Sequence, residues 1–336
     1  MTIKYLSKFL KDKGIVPREL PLSSFRGKKI SIDIFTDLYS RYKIAVAMVL
    51  STQEDVLTGR PDYDAIIPAW VELVLTMLDR YVSAGIIPVV CYDGAGPESK
   101  SETRKERAEN EQAYANVVEE KKALAATVKD ATQLTILRAE IISAYESSLH
   151  PRRQDISDLI DLIRAYGFPV IQAAGEGEQL ASELCRQGYT HAVHSNDHDC
   201  LMYNPSIWIK KYDSKIRRFI CYDMEELLAQ LDLTYSQFVD MCIFMGCDHN
   251  KKVFGYGCVE IYKDIRNFGD GATLINMKRT IDFKCINYDY CVEYFSEKPC
   301  EELIGEGSEF VTDMTDCDDA EVERLSTLLG VSIRKF

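Results

Sequence analysis

A chain of 336 residues can bury a sizeable core, and length alone suggests roughly two domains. A composition of 46% hydrophobic and 28% charged residues is globular, and a net charge of −13 argues against a generic nucleic-acid binder, which needs a basic footprint. Eleven cysteines without a CxxC speak against a disulfide framework and for an intracellular, reducing site, cytoplasmic or nuclear; neither a secretory signal nor an apolar run of ~20 residues argues for export or the membrane.

The opening LSKFLKDKG predicts a short helix ended by Gly14. KKISIDIF predicts a strand, followed by an apolar helical stretch through Leu50. STQEDVLTGRPD is a loop by its turn residues. Apolar Val71, Val74, Leu75, Leu78 and Val82 predict a helix from about Pro68 to Ser83, closed by Gly85 and followed by the strand IIPVVCYD. Residues 97–150, bracketed by Pro97 and Pro151, are charged and helix-prone; they read as a solvated helical hairpin or as a cap over a site. DISDLIDLIRAYG is an amphipathic helix with Gly167 as its C-cap. FPVIQA, EQLASELCRQG and THAVHS form a β-α-β unit, right-handed by default. SIWIKKYDSKIRRFICYD predicts a hairpin turning near Asp213–Ser214, and helices are expected around 223–231 and 235–245 before the turn FGYGC. Beyond about residue 275 the pattern weakens. The fold class expected is α/β, with a central, mainly parallel twisted sheet flanked by helices.

Seven acids fall where strands or helices end. Asp33 closes KKISIDIF, Asp93 closes IIPVVCYDG, Glu176 and Glu178 follow FPVIQAAGEGE, Asp197 and Asp199 follow HAVHSNDHD, and Asp248 ends FVDMCIFMGCDH. In an open α/β sheet ligands bind outside the carboxyl ends of the strands, so these segments can deliver acids to one point. Gathered acids repel unless protonated or neutralised by cations, and hard divalent metals with oxygen ligands are the usual answer. The i, i+2 spacing of each pair puts both side chains on one face of an extended segment. A capped helix or a solvated loop would explain either pair taken alone. Lone strand-end aspartates such as Asp33 and Asp93 commonly cap turns, and a turn role for Asp248 is equally ordinary. Five acid-bearing segments in one α/β chain argue for a shared, metal-dependent site acting on phosphate.

Lys100 and Arg107 are seven apart and share a helical face, as many pairs on a charged helix do. His191, His194 and His198 lack the cysteines of a closed zinc site apart from Cys200, which argues against zinc. Residues 297–323 carry eleven acids against Lys298, so most of the net charge sits there. Nucleic acid would have to be held by local basic patches rather than by a global field.

AAGEGEQLASELCRQG, SNDHDCLMY and QFVDMCIFMGCDH carry an ExE, a DxDxL and a GxD in order. With Asp33 and the YDG at Asp93, they make the chain resemble the flap endonuclease family, within the PIN-like structure-specific 5′-nuclease superfamily, from the N-terminus to about residue 275. The resemblance implies a nuclease domain over 1–275, with 97–150 as a helical arch and 235–275 as a helix-turn-helix region that grips duplex DNA. Residues 276–336 remain an acidic segment of undetermined structure. It implies two Mg²⁺ ions, replaceable by Mn²⁺, with Glu176, Glu178, Asp197 and Asp199 as direct ligands. Asp33, Asp93 and Asp248 would act through waters or by orienting those ligands. It implies that Tyr39 stacks on a base beside the cleavage point and that Lys100 and Arg107 contact the scissile phosphate. Gly255 and Gly257 would hold duplex backbone through main-chain N–H groups, with a monovalent cation, helped by Lys251, Lys252 and Lys263.

The activity implied is hydrolysis of DNA at 5′ flaps or single-strand/duplex junctions, in replication, repair or recombination. Thr2 stands where the family has glycine, and Cys258, Val259 and Glu260 replace the proline and basic residues that follow its GxG. The acidic 297–323 stretch replaces a basic tail, and no glutamine-plus-aromatic box for a sliding clamp is found. A compact, divergent member, of the kind a large DNA virus would carry, fits this pattern. The rival readings are a 5′→3′ exonuclease or junction resolvase of the same superfamily, a PIN-like ribonuclease, and a scaffold that binds DNA or a partner without cutting.

Overall fold

The computed structural model describes every residue except 1, 2, 4, 96–100 and 279; for 101–104 it describes the backbone alone. The chain divides into two compact units, one of residues 1–34, 84–100 and 170–313, the other of 35–83, 101–169 and 314–336.

The first unit holds one seven-stranded sheet: β1 (Arg18–Pro21), β2 (Lys29–Asp33), β3 (Ile87–Tyr92), β4 (Val170–Gln172), β5 (Ala192–His194), β6 (Ile207–Asp213) and β7 (Arg218–Asp223). Its order is β1-β7-β6-β5-β2-β3-β4. β4, β3, β2, β5 and β6 run parallel, and β7 and β1 complete one edge antiparallel. β2 lies third from the β4 edge with Ile30, Ser31, Ile32 and Asp33 all buried, the unbroken burial expected of a parallel strand covered on both faces. Ser31 is tolerated there because its hydroxyl donates to Ala181 O at 2.6 Å and lies 3.0 Å from Thr190 Oγ1.

The helix Gly177–Arg186 packs on β2, β3 and β5. Its Leu180, Ala181 and Leu184 join Val89, Ile171, Val193 and Trp208 in the core. Each fully buried Leu, Ile or Val there contributes about 1.5–3 kcal/mol. This helix links β4 to β5, which are not neighbours: the connection passes over β3 and β2. The β-α-β unit expected from the sequence is therefore a long crossover. β1 was invisible to periodicity, because a four-residue edge strand ending at Pro21 carries half-exposed residues and no alternation.

In the second unit, the Ile34–Thr52 helix continues from β2. The helix expected from about Pro68 begins earlier, at Tyr63, with Asp62 accepting from Ala65 N at 3.1 Å. Pro68 thus sits inside it, where it lacks an N–H for the carbonyl of Asp64. Residues 97–150 supply two helices, Ser101–Ala125 and Ala131–Ser148, the second capped by Asp130 accepting from Gln133 N. Within its own unit this hairpin is tied down by Arg138, which donates to the carbonyls of Leu50, Ser51 and Gln53 at the end of the 34–52 helix. The helix Asp319–Leu329 packs on Arg153–Ala165, and Phe336 meets Tyr166 and Phe168 edge-on. Among the described residues, no helix is long and apolar enough to cross a membrane.

Candidate functional site

All seven acids singled out from sequence lie in the first unit. Going from β2 the chain builds outward through β3 and β4, then returns to lay β5 on the other side of β2. The boundary between β5 and β2 is thus a topological switch point, where crevices open beyond the carboxyl ends of strands. Asp33 is the last residue of β2 and Asp93 follows β3; Asp197 and Asp199 come just after β5, and Glu176 and Glu178 follow β4. Asp33, Asp199, Asp248 and Glu178 are 3%, 1%, 5% and 8% exposed. Burying carboxylates is costly unless they are hydrogen-bonded or neutralised.

The two acid pairs share one local design, which differs from the expected extended segment. Glu176 and Asp197 each occupy the extended N-cap of a helix, while Glu178 and Asp199 lie in its first turn. Helix N-termini favour negative charge, which offsets part of the burial cost. Asp197 accepts from Asp199 N at 3.1 Å, as a cap does. Glu176 makes no capping bond of its own. Instead Asp93 Oδ1 accepts from Gly177 N at 2.8 Å, and Gly94 N donates to Gly175 O at 2.7 Å. Close approach explains the glycines: a Cβ on Gly94 would stand 2.1 Å from Ala173 O, and one on Gly177 would lie 3.2 Å from Asp93 Oδ1.

Ser195 was not anticipated. Its hydroxyl donates to Asp33 Oδ2 at 2.8 Å and accepts from Asp197 N at 3.0 Å, joining the β2 and β5 ends. Trp208 Nε1 holds the Ser195 carbonyl at 2.9 Å. The available signal was its position inside SNDHD, on the first residue after β5. Ile3 N donates to Asp199 Oδ1 at 3.1 Å, and Tyr294 donates its phenol to Glu176 Oε2 at 3.2 Å. Neither residue carried a local motif.

The shared field of the acids shows in their neighbours. The Cys200 thiol is pushed well up by burial first and then by Glu178, Asp33 and Asp197. The Tyr203 phenol is raised by burial, then by Tyr294, Glu178, Glu176 and Asp199. Among the described residues, no group of three or more His, Cys, Asp or Glu closes on a point where it could hold a metal ion. The donors that rim this edge are nonetheless all carboxylate oxygens, the donor type of hard divalent cations. The three histidines are spent elsewhere. His191 packs against Phe25, His194 against Phe219 and His198 against Trp208, and burial lowers His198 to about 4.

Asp248 follows the helix Tyr235–Met245, and Asn250 Nδ2 caps the end of that helix by donating to Ile243 O at 2.8 Å. Next comes the turn that holds Gly255, in the left-handed region at φ +73, and Gly257, the N-cap of the helix Cys258–Phe268. Both glycines face open space. Lys251 and Lys263 are exposed, and Lys252 Nζ sits 4.2 Å over the Tyr5 ring. Phe254, at the tip, is 99% exposed.

In the second unit, Tyr39 is exposed on the 34–52 helix, its ring 6.0 Å from that of His150. Arg107 is exposed on the 101–125 helix. Lys100 lies outside the described residues.

Comparison with known proteins matches residues 1–114 to the XPG N-terminal domain and residues 167–248 to the XPG I-region. Asp33 and Asp93 fall in the first and the other five acids in the second. Flap endonuclease 1 of Babesia bovis is 28% identical over 338 residues, covering 97% of this chain and 47% of that protein. Flap endonuclease 1-B of Physcomitrium patens is 30% identical over 274 residues, covering 80% of this chain and 73% of that protein. The chain thus spans about half the length of the first relative. Among solved structures, the catalytic core of Rad2 in complex with DNA substrate superposes with a TM-score of 0.65 at 17% identity, covering 96% of this chain and 94% of that one, which shows a shared fold.

Proposed function

The chain belongs to the flap endonuclease family, and from that premise we propose that it is a divalent-metal-dependent nuclease. It hydrolyses DNA phosphodiester bonds at 5′ flaps or single-strand/duplex junctions, in replication, repair or recombination. The observation that carries this reading is that carboxylates follow the carboxyl ends of four neighbouring parallel strands, β5, β2, β3 and β4, with Asp33, Glu178 and Asp199 among them buried. Glu176, Glu178, Asp197 and Asp199 would hold two Mg²⁺ ions, with Mn²⁺ as a substitute. Bound there, such ions supply an activated water and charge stabilisation at the leaving oxygen. Asp33, Asp93 and Asp248 orient those ligands or hold their waters. Ser195 fixes Asp33 relative to Asp197, so the β2 and β5 carboxylates keep one spacing.

The remaining roles rest on sequence correspondence. Lys100 and Arg107 neutralise charge on the scissile phosphate. Tyr39 stacks on an unpaired base, worth about 1–3 kcal/mol. Gly255 and Gly257, with a monovalent cation, and Lys251, Lys252 and Lys263 hold duplex backbone. The residues over 101–148 form the arch, and the eleven free cysteines fit work in a reducing nucleus or cytoplasm. One feature favours the exonuclease or resolvase variant: the helix that starts after Gly257 opens with Cys258, Val259 and Glu260, with Glu260 paired to Lys278 at 3.0 Å, which weakens a duplex grip.

Cleavage of an end-labelled 5′-flap DNA with Mg²⁺ tests the proposal. A single incision at, or one nucleotide inside, the junction supports it, and stepwise release of mononucleotides moves the reading to the exonuclease. Folded protein that cuts with neither Mg²⁺ nor Mn²⁺ overturns it in favour of a scaffold.

A further inference from the structure

Residues 294–308 run as a strap along the helix that bears Glu176 and Glu178, entirely within the first unit. Tyr294 donates its phenol to Glu176 Oε2 at 3.2 Å, and its carbonyl accepts from Gln179 Nε2 at 3.4 Å. Further along, Arg186 pairs with Glu297 at 3.0 Å, and Gln187 Nε2 donates to Lys298 O at 2.8 Å. The strap then turns back to the strand end. Ala174 N donates to Leu303 O at 2.7 Å, Gly305 N donates to Gln172 O at 2.8 Å, and Gln172 N donates to Ser308 Oγ at 2.9 Å. Main-chain bonds thus fix the backbone two residues before Glu176, and side-chain bonds fix the helix after it.

The phenol is itself held in place. The Tyr294 ring lies 4.0 Å from that of His249 and stacks on Tyr290 at 5.8 Å, with Lys298 Nζ 5.4 Å from its centroid. A donor immobilised by its own packing orients a carboxylate at little further entropic cost. Groups of this kind, one step removed from a metal, tune ligand direction and basicity.

We propose that Tyr294 is a positioning residue for Glu176, holding one carboxylate oxygen so that the other is directed toward a divalent cation. This rests on the metal-dependent reading of the acid edge. It gives the C-terminal segment, which carries no family motif, a part in building the site.

The test is Mn²⁺ titration by calorimetry on the full chain, beside thermal unfolding and flap cleavage. Tyr294→Phe is expected to weaken Mn²⁺ binding about tenfold at an unfolding midpoint close to the unsubstituted value. Glu297→Ala, which loosens the far end of the strap, should leave binding within about twofold. In a Glu176→Gln background, Tyr294→Phe should add no further loss. The proposal is overturned if Tyr294→Phe binds Mn²⁺ as tightly as the unsubstituted chain. It is equally overturned if Glu297→Ala loses as much, if the losses add in the double variant, or if the unsubstituted chain binds no Mn²⁺. Cleavage by the unsubstituted chain decides the nuclease reading separately; the affinity ratio decides the role of Tyr294 whether or not DNA is cut.

Discussion

Two regions of this molecule are rich in acids, and they differ in almost everything else. At the carboxyl edge of the sheet, Asp33, Glu178, Asp199 and Asp248 are buried; Ser195 donates to Asp33 and accepts from Asp197 N, Ile3 N donates to Asp199, and Glu178 and Asp199 sit in the first turns of helices. Over 297–323, ten of the eleven acids are exposed, and Glu321 is half-buried. Their tasks are ordinary: Asp318 caps a helix, Glu321 pairs with Arg324, Glu297 with Arg186 and Asp313 with Lys29. Acid content therefore does not identify a site. What does is charge held where its solvation has been removed, since such groups are retained at a cost that a bound cation can offset.

The largest expected effect breaks the first region. Asp197→Ala should lower flap cleavage by about a thousandfold or more, the several kcal/mol a metal ligand contributes to the transition state. Circular dichroism should show the fold intact; near-normal cleavage would remove Asp197 from the metal set. Ser195→Ala comes next. It withdraws a donor from buried Asp33 and an acceptor from Asp197 N, and should destabilise the fold by about 1–3 kcal/mol. Urea unfolding measures this, and an unchanged midpoint would mean that solvent replaces the hydroxyl.

Thiol chemistry separates the regions without touching a carboxylate. Cys317, exposed in the acidic stretch, should label with maleimide in the native protein, whereas fully buried Cys200 at the acid edge should stay unlabelled until unfolding. Slight desolvation and then Asp319 raise the Cys317 thiol, so its labelling should accelerate toward higher pH than an ordinary thiol requires. Burial pushes Cys221 and Cys300 up to about 12 from 9.0. With native values above unfolded ones, these thiols stabilise the fold fully below pH 9 and lose that contribution as pH rises toward 12. Urea midpoints measured across this range should therefore fall.

The smallest effect belongs to the solvated region. Glu301→Gln with Glu302→Gln, both exposed, should change stability by less than about 0.5 kcal/mol and flap cleavage by less than about twofold. A larger loss would mean that the acidic stretch has a function its exposure does not suggest.

Much of the site was legible because strand-ending acids combine two local signals: an apolar run, and a carboxylate where that run stops. KISID and IPVVCY are strands by their composition, and the ExE and DxD pairs stand out at sight. Local pattern also marked 97–150, between Pro97 and Pro151, as a helical hairpin or cap, and the helices Ser101–Ala125 and Ala131–Ser148 fall within it. Even so, the acid pairs do not lie on extended segments. They straddle helix N-caps, because the chain turns into a helix between the two acids.

The sequence by itself determined most elements before about residue 275, the donor types and the family, since each is written in contiguous residues; the edge strand Arg18–Pro21 and the helix Asp319–Leu329 were not among them. The tertiary structure alone decided that β5 returns beside β2, creating a switch point, and that Ser195 joins those two strand ends. It also decided that Tyr294, 118 residues from Glu176, reaches that carboxylate. Strand order and side-chain partners at such separation depend on which buried surfaces fit together, and no periodicity along the chain encodes that.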